Sequence, residues 1–256
     1  MGPKYTELTG TGHRRPVPEG RWRDAELDVT SPTAVAALVE RERPGAVIYT
    51  AYDKSSREIT VDGAVAAARA AARAGARFVF VSTDLVFDGG RGNYTEDDAV
   101  RPIMPYGMLK FEAEGLVKVA YGEALIVRPA LLVGEWGRFQ RPAYECEALA
   151  AGQPLTLYPD EWRSPVGVDD VAHAIWDLVC TEAEGVVHLG GPERMTRVEL
   201  GRRVCRMYGY DAALIREAPR PPERPRDVSL RSLRAAALIG WAPAPVGSHA
   251  LAAAGA

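Results

Sequence analysis

The sequence predicts an α/β fold: a doubly wound parallel sheet followed by a smaller C-terminal substrate lobe. Three observations carry that expectation. Through the first two-thirds of the chain, short apolar runs alternate with helix-length segments, the pattern of strands joined by crossover helices. Phe78–Thr83 and Ala124–Val127 are nearly continuous apolar runs, as strands covered on both faces must be, and they are expected as adjacent inner strands. At 256 residues the chain can bury a full core, so one domain with a small appendage is the natural organisation. Residues 1–130 are assigned to the sheet domain, and 131–256 to the rest of the sheet and the lobe.

The elements follow in order. Tyr5 to Gly12 reads as a strand and Glu26-Leu-Asp-Val29 as a short one. Ser31-Pro32 supplies an N-cap and an N1 proline for a helix that Pro44 stops. Ala46–Ala51 is the next strand, and an alanine-rich helix runs from about Ile59 to Gly75. After the Phe78 strand and a polar loop comes a helix carrying Tyr106 and Lys110. Ala124–Pro129 is a further buried strand. Beyond it, helices are expected at Phe139–Ala151, Val168–Cys180 and Arg197–Tyr208, with a strand at Val186–Leu189 and a last short helix from Ser229.

Composition excludes several classes of function. Lys and Arg number 31 against 34 Asp and Glu, a formal net charge of −3, which leaves no electrostatic footprint for nucleic acid or an anionic membrane. No apolar run reaches the ~18–20 residues of a membrane-spanning helix, and Met1-Gly-Pro-Lys-Tyr has no signal-peptide core. Cys146, Cys180 and Cys205 are widely spaced, as are the four histidines, so neither a disulfide framework nor a metal site is expected. A cytoplasmic protein acting on a small molecule is the reading that remains, with a homodimer among its allowed assemblies.

The chemistry concentrates in two motifs. Tyr106-Gly-Met-Leu-Lys110 places a phenol and an ammonium one turn apart on one helix face. Upstream stands Val81-Ser-Thr-Asp-Leu-Val-Phe-Asp-Gly89, whose Ser82 and Thr83 fall at the carboxyl end of a strand, where open α/β sheets bind ligands. Together the motifs resemble the catalytic centre of extended short-chain dehydrogenases/reductases, and Ser-Thr-Asp-x-Val-Phe-Asp-Gly resembles the dTDP-4-dehydrorhamnose reductase branch. The likeness continues through Asn93–Asp98 with Pro102, Ile126–Pro129 with Gly134, Arg163-Ser-Pro165 with Asp169–Ala172, and Arg224–Leu230.

The resemblance implies a Rossmann-type sheet with NADP(H) as cofactor. Tyr106 would be the proton donor to a carbonyl, Lys110 the cation beside it and the holder of the nicotinamide ribose, and Thr83 the orienter of the carbonyl. Ala51 and Ser82 would line the cofactor. Asp84, Val86, Phe87, Arg128, Trp136 and Arg163 would face the substrate.

Two features depart from the family. Members begin with a strand running into Gly-x-x-Gly-x-x-Gly, whose glycines let the backbone approach a pyrophosphate at a helix N-terminus. Here Thr9-Gly-Thr-Gly12 runs into His13-Arg-Arg-Pro-Val-Pro18, and prolines so close together do not open a helix. Tyr5–Gly12 is therefore aligned with the family's second strand and Leu27–Thr30 with its third. Arg14 and Arg15 then fall where NADP-preferring members hold the 2′-phosphate. On this alignment the usual first βα unit is absent: the sheet closes up, another segment fills the slot, or the chain given starts late. Dinucleotide binding is accordingly expected to be weak or absent. The second departure is at the pocket. Ile59-Thr-Val-Asp-Gly63 has Thr60 where an asparagine is usual, and Asp160-Glu-Trp-Arg-Ser-Pro165 replaces Asp-Gln-x-Gly-x-Pro.

Three functions stay open at this point. The first is an NADPH-dependent reductase of a carbonyl on a nucleotide sugar or secondary metabolite. The second is a redox-free lyase, isomerase or cyclase using Tyr106 and Lys110 as acid and base. The third is a non-catalytic regulatory protein, like the regulatory subunit of methionine adenosyltransferase.

Overall fold

The computed structural model describes residues 7–13, 22–134 and 144–248. Strands β1 (Thr9–Gly12) and β2 (Arg23–Glu26) form a parallel pair. The second strand lies N-terminal to its expected place at Glu26–Val29. Asp28 accepts hydrogen bonds from the Thr30 amide and hydroxyl, 2.9 and 2.7 Å away, which turns the chain there instead of extending it. Ser31 caps α1 (Pro32–Glu42) by accepting from the Ala34 amide, and the helix ends at Arg43 in the left-handed region, before Pro44.

Next come β3 (Ala46–Tyr49), a wide π turn at Glu58–Asp62, and α2 (Gly63–Ala74). Gly63 is required by close approach, since a Cβ there would overlap the Tyr49 hydroxyl. Strand β4 (Arg77–Val81) leads through a single 3₁₀ turn, Asp84–Val86, and a long loop to α3 (Pro105–Ala120), then β5 (Leu125–Pro129).

Beyond residue 130 the elements shorten: β6 (Leu132–Val133), α4 (Tyr144–Ala150), β7 (Leu155–Leu157), β8 (Trp162–Arg163), β9 (Val166–Gly167), α5 (Val168–Val179), β10 (Gly185–Leu189), β11 (Met195–Thr196), α6 (Arg197–Tyr208), β12 (Ile215–Glu217) and α7 (Leu233–Ile239). The last helix begins four residues after the expected Ser229. Ser229 and Leu230 are committed elsewhere: the Tyr94 amide donates to the Ser229 carbonyl at 2.8 Å, and Tyr94 bridges Leu230 in parallel.

Four parallel strands make the main sheet in the order β10-β5-β4-β3, so β4 and β5 are its inner pair, as expected. Alternation along β4 assigns its side chains to two layers. Val79, with Leu125, Val127, Val187 and Leu189, packs under α5 and α7 against Val171, Leu178 and Ala235. Phe78 and Phe80, with Ile126, pack under α2 and α3 against Ala64, Ala67, Ala68, Ala71, Ala113 and Val117. The alanines keep α2 close to the sheet. A third cluster, Leu155, Leu157, Val198, Val204 and neighbours, holds the lobe.

Among the described residues, no strand pairs with the outer edge of β3, and β1–β2 makes no ladder with it. The sheet has not closed up. The small pair is held to α1 instead, where Arg23 meets Glu42 at 3.0 Å.

Candidate active site

The carboxyl ends of β3 and β4 and the first turns of α3 meet at one place. Gly107 makes this possible, because a Cβ there would overlap the Leu85 carbonyl oxygen; a bare backbone lets α3 seat on the Asp84–Val86 turn. Tyr106 and Lys110 follow from that seating, on the face of α3 turned toward the sheet.

Lys110 is 2% exposed. Its Nζ donates to the Val81 carbonyl at 2.7 Å, at the end of β4. It also stands 4.7 Å from the Phe80 ring centroid, 5.8 Å from Tyr52 and 5.9 Å from Tyr106. Burial lowers the ammonium pKa to about 8, against the opposing charge of Glu114. Burial likewise pushes the Tyr106 phenol up, assisted by Tyr52 and Asp84, so it stays protonated at neutral pH. The rings of Tyr52 and Tyr106 lie 5.7 Å apart.

Thr83 is extended at the head of the Asp84–Val86 turn; its hydroxyl accepts from the Leu85 amide and donates to Asp84, each at 3.3 Å. Asp84 is buried, and its Oδ2 has no hydrogen-bond partner among the described residues. The Arg163 Nε lies 3.9 Å from that oxygen. Burial raises the Asp84 pKa to about 6, with Arg163 opposing. Arg163 itself is held at 2.9 Å by Glu161, which also takes the guanidinium of Arg224. The departures from the family at Glu161 and Arg163 therefore compensate one another.

The remaining expected residues divide. Ala51 is half-buried in the loop after β3. The Ser82 hydroxyl is spent on Glu114. Arg128 is 3% exposed and directs its guanidinium at Glu114, with bonds of 2.9 and 2.6 Å, and at His188. Val86 and Phe87 are wholly buried, Phe87 stacked on Tyr94 at 4.1 Å. The side chains of Arg128, Val86 and Phe87 are thus buried and engaged with protein neighbours. Arg14, Arg15 and Trp136 lie outside the described residues.

Three residues escaped the sequence reading. Glu114 ties α3 to both inner strands through Ser82 and Arg128; its i+4 spacing from Lys110 was the available signal. Tyr52 follows the end of β3, a position that could have been read from the strand. The third is Thr60, whose hydroxyl donates to the Asp53 carbonyl at 2.7 Å and accepts from the Asp53 amide at 3.0 Å, anchoring the loop that carries Tyr52.

The nicotinamide end of a dinucleotide fits this geometry, with Lys110 and Tyr106 side by side at a strand terminus. A pyrophosphate cradle is not found among the described residues. Gly10 and Gly12 lie in β1, in register with Asp24 and Glu26 of β2, and no described helix begins on a glycine-rich loop. No described helix is long and apolar enough to cross a membrane.

Comparison with known proteins places the whole chain among reductase relatives. The chain is 32% identical over 159 residues to a probable low-salt glycan biosynthesis reductase of Haloferax volcanii, covering 58% of this chain and 53% of that one, so it spans about half of that protein's length. It is 32% identical over 242 residues to the dTDP-4-dehydrorhamnose reductase of Mycobacterium tuberculosis, covering 86% of this chain and 78% of that one. Among solved structures, the dTDP-4-dehydrorhamnose reductase of Bacillus anthracis in complex with NADP superposes with a TM-score of 0.77 at 23% identity, covering 91% and 89% of the two chains. The model of the RmlD substrate binding domain matches residues 6–250. The chain belongs to that family, as a dTDP-4-dehydrorhamnose reductase-like protein of the reductase type.

Proposed function

We propose that this protein reduces a carbonyl on a nucleotide sugar, or on a closely related metabolite, with Tyr106 as proton donor and NADP(H) as the preferred cofactor. The observation that carries the reading is the pairing of a protonated Tyr106 with Lys110 on the first turns of α3, beside Thr83 and Asp84. The bound cofactor supplies the hydride. The chain's own residues do the rest. Tyr106 gives its proton to the oxygen of the reacting carbonyl as negative charge develops there. The Thr83 hydroxyl, weakly held by Asp84, turns to donate to the same oxygen, and the Lys110 ammonium stabilises the phenolate left behind. Asp84, whose Oδ2 accepts no hydrogen bond among the described residues, accepts a substrate hydroxyl.

In this reading residues 1–130 form the Rossmann-like part, and residues 131–256 the remainder of the sheet with a lobe that recognises the substrate. A reducing, cytoplasmic setting suits the free thiols of Cys180 and Cys205.

With no glycine-rich cradle among the described residues, the dinucleotide affinity of this chain should fall below the usual level for the fold. Charge-assisted bonds contribute ~1.5–3 kcal/mol each, so losing two costs on the order of a hundredfold. Calorimetric titration with NADPH and NADH tests the reading. The expected outcome is weak binding with NADPH preferred, together with NADPH oxidation in the presence of a 4-keto nucleotide sugar. Micromolar or tighter binding would show that a phosphate site exists elsewhere in the chain. Absence of binding at millimolar cofactor would favour the second reading, a redox-free lyase or isomerase in which Tyr106 and Lys110 only move protons.

A further inference from the structure

Arg163 stands where the family's Asp-Gln-x-Gly-x-Pro pattern has glycine, so a long cationic side chain enters a place the pattern leaves to bare backbone. It arrives with a counter-charge. Glu161, in place of the glutamine, is wholly buried and takes Arg163 Nη2 at 2.9 Å, while Arg224 reaches the same carboxylate at 2.6 and 2.9 Å. Arg163 Nη1 donates to the Trp162 carbonyl at 3.2 Å. Both terminal nitrogens of the guanidinium are thus committed, and Nε is the donor left toward Asp84.

Asp84 is engaged on one oxygen. Its Oδ1 accepts from the Thr83 hydroxyl at 3.3 Å, and its Oδ2 accepts nothing among the described residues. Asp84 and Arg163 are each 4% exposed, so neither charge is solvated by bulk water. At 3.9 Å, Nε and Oδ2 are beyond hydrogen-bond reach of one another, yet a single oxygen ~2.8 Å from each would bridge them. Such an oxygen must accept from Nε and donate to Oδ2. A hydroxyl does both. An ammonium is repelled by Arg163, a carboxylate is repelled by Asp84, and a carbonyl or ether has no proton to give. A methylene leaves two buried polar atoms without partners, the costly case. We propose that Asp84 and Arg163 form a subsite for one hydroxyl on the carbon beside the reacting carbonyl, and that Arg163 makes this chain selective for an α-hydroxy ketone over its deoxy and amino counterparts. The position beside the carbonyl follows from Thr83, since one carboxylate then holds both the orienting hydroxyl and the substrate hydroxyl. This deepens the reductase reading and rests on it for which carbonyl reacts.

Calorimetric titration without cofactor tests the subsite apart from the reaction. The probes are dTDP-4-keto-6-deoxyglucose and its 3-deoxy and 3-amino counterparts. The proteins are wild type, Arg163→Met and Arg163→Gln, each checked for folding by circular dichroism and melting curves; Glu161 keeps Arg224 as its partner in both variants. Wild type should bind the hydroxy ketone about tenfold or more tightly than the deoxy ketone. Arg163→Met should erase most of that preference. Both variants should bind the amino sugar more tightly than wild type does, because the repelling charge is gone. Equal binding of hydroxy and deoxy ketones by wild type would overturn the proposal, as would binding of neither. So would a preference that persists undiminished in Arg163→Met together with unchanged amino-sugar binding in Arg163→Gln. Selective binding without NADPH oxidation would uphold the subsite and remove the reductase reading alone.

Discussion

The Lys110 ammonium donates to the main-chain carbonyl of Val81 across 2.7 Å, so the cation of the site is pinned to the end of the central strand β4. The bond joins a helix to the strand it packs on, and it sits under the rings of Tyr52, Phe80 and Tyr106. Its consequence is electrostatic. A cation kept out of water holds its proton less firmly, and the pKa falls to about 8.

The rate of carbonyl reduction should therefore decline as pH rises through about 8, as Lys110 loses the charge that stabilises the Tyr106 phenolate. Tyr52→Ala opens the site to water and should move this alkaline limb to higher pH, while Tyr52→Phe should leave it in place. A profile of kcat/KM against pH for the three proteins decides the matter. An unmoved limb in Tyr52→Ala would mean that Tyr52 does not control hydration of Lys110.

Tyr106→Phe removes only the transferable proton. Turnover should drop ~10²–10⁴-fold, with little change in melting temperature. Steady-state kinetics beside a thermal melt would show it, and near-normal turnover would take the centre out of both enzymatic readings.

Asp84→Asn should stabilise the ligand-free protein at neutral pH. The folded pKa of Asp84 is raised to about 6, so the protonated form is favoured by folding. That contribution is present at acid pH and is lost as pH rises through about 6. Above it, the ionised carboxylate costs on the order of 1–3 kcal/mol, which the amide relieves; Arg163 keeps Glu161 as its partner. Chemical denaturation should show the gain at pH ~7 and little difference near pH ~4. Substrate affinity should fall in the same variant, since Asn accepts a hydroxyl less strongly than a carboxylate does.

Glu114→Gln should be strongly destabilising, by about 3–5 kcal/mol, because it leaves the buried Arg128 guanidinium without its counter-charge. Denaturant midpoints measure this directly. Adding Arg128→Met to Glu114→Gln should recover part of the loss, and a double variant no better than the single would argue against an uncompensated charge as the cause.

What the sequence determined by itself is local. Ser31 and Pro32 start a helix because a hydroxyl and a fixed φ act within one turn, and Arg197–Tyr208 is bounded as expected because Thr196 and Glu199 close a reciprocal cap. Strands β4 and β5 announce themselves because burial on both faces leaves Phe78–Val81 and Leu125–Val127 without a polar position. The spacing of Tyr106 and Lys110 needs only the helical repeat. Tertiary structure decided the matters that depend on partners distant along the chain. Arg128 faces Glu114, Asp84 faces Arg163, and Ser229 is drawn to Tyr94 instead of starting a helix. No local pattern encodes such pairs. Each arises because packing excludes water, and a buried charge or amide must then bond to whatever the fold brings within reach.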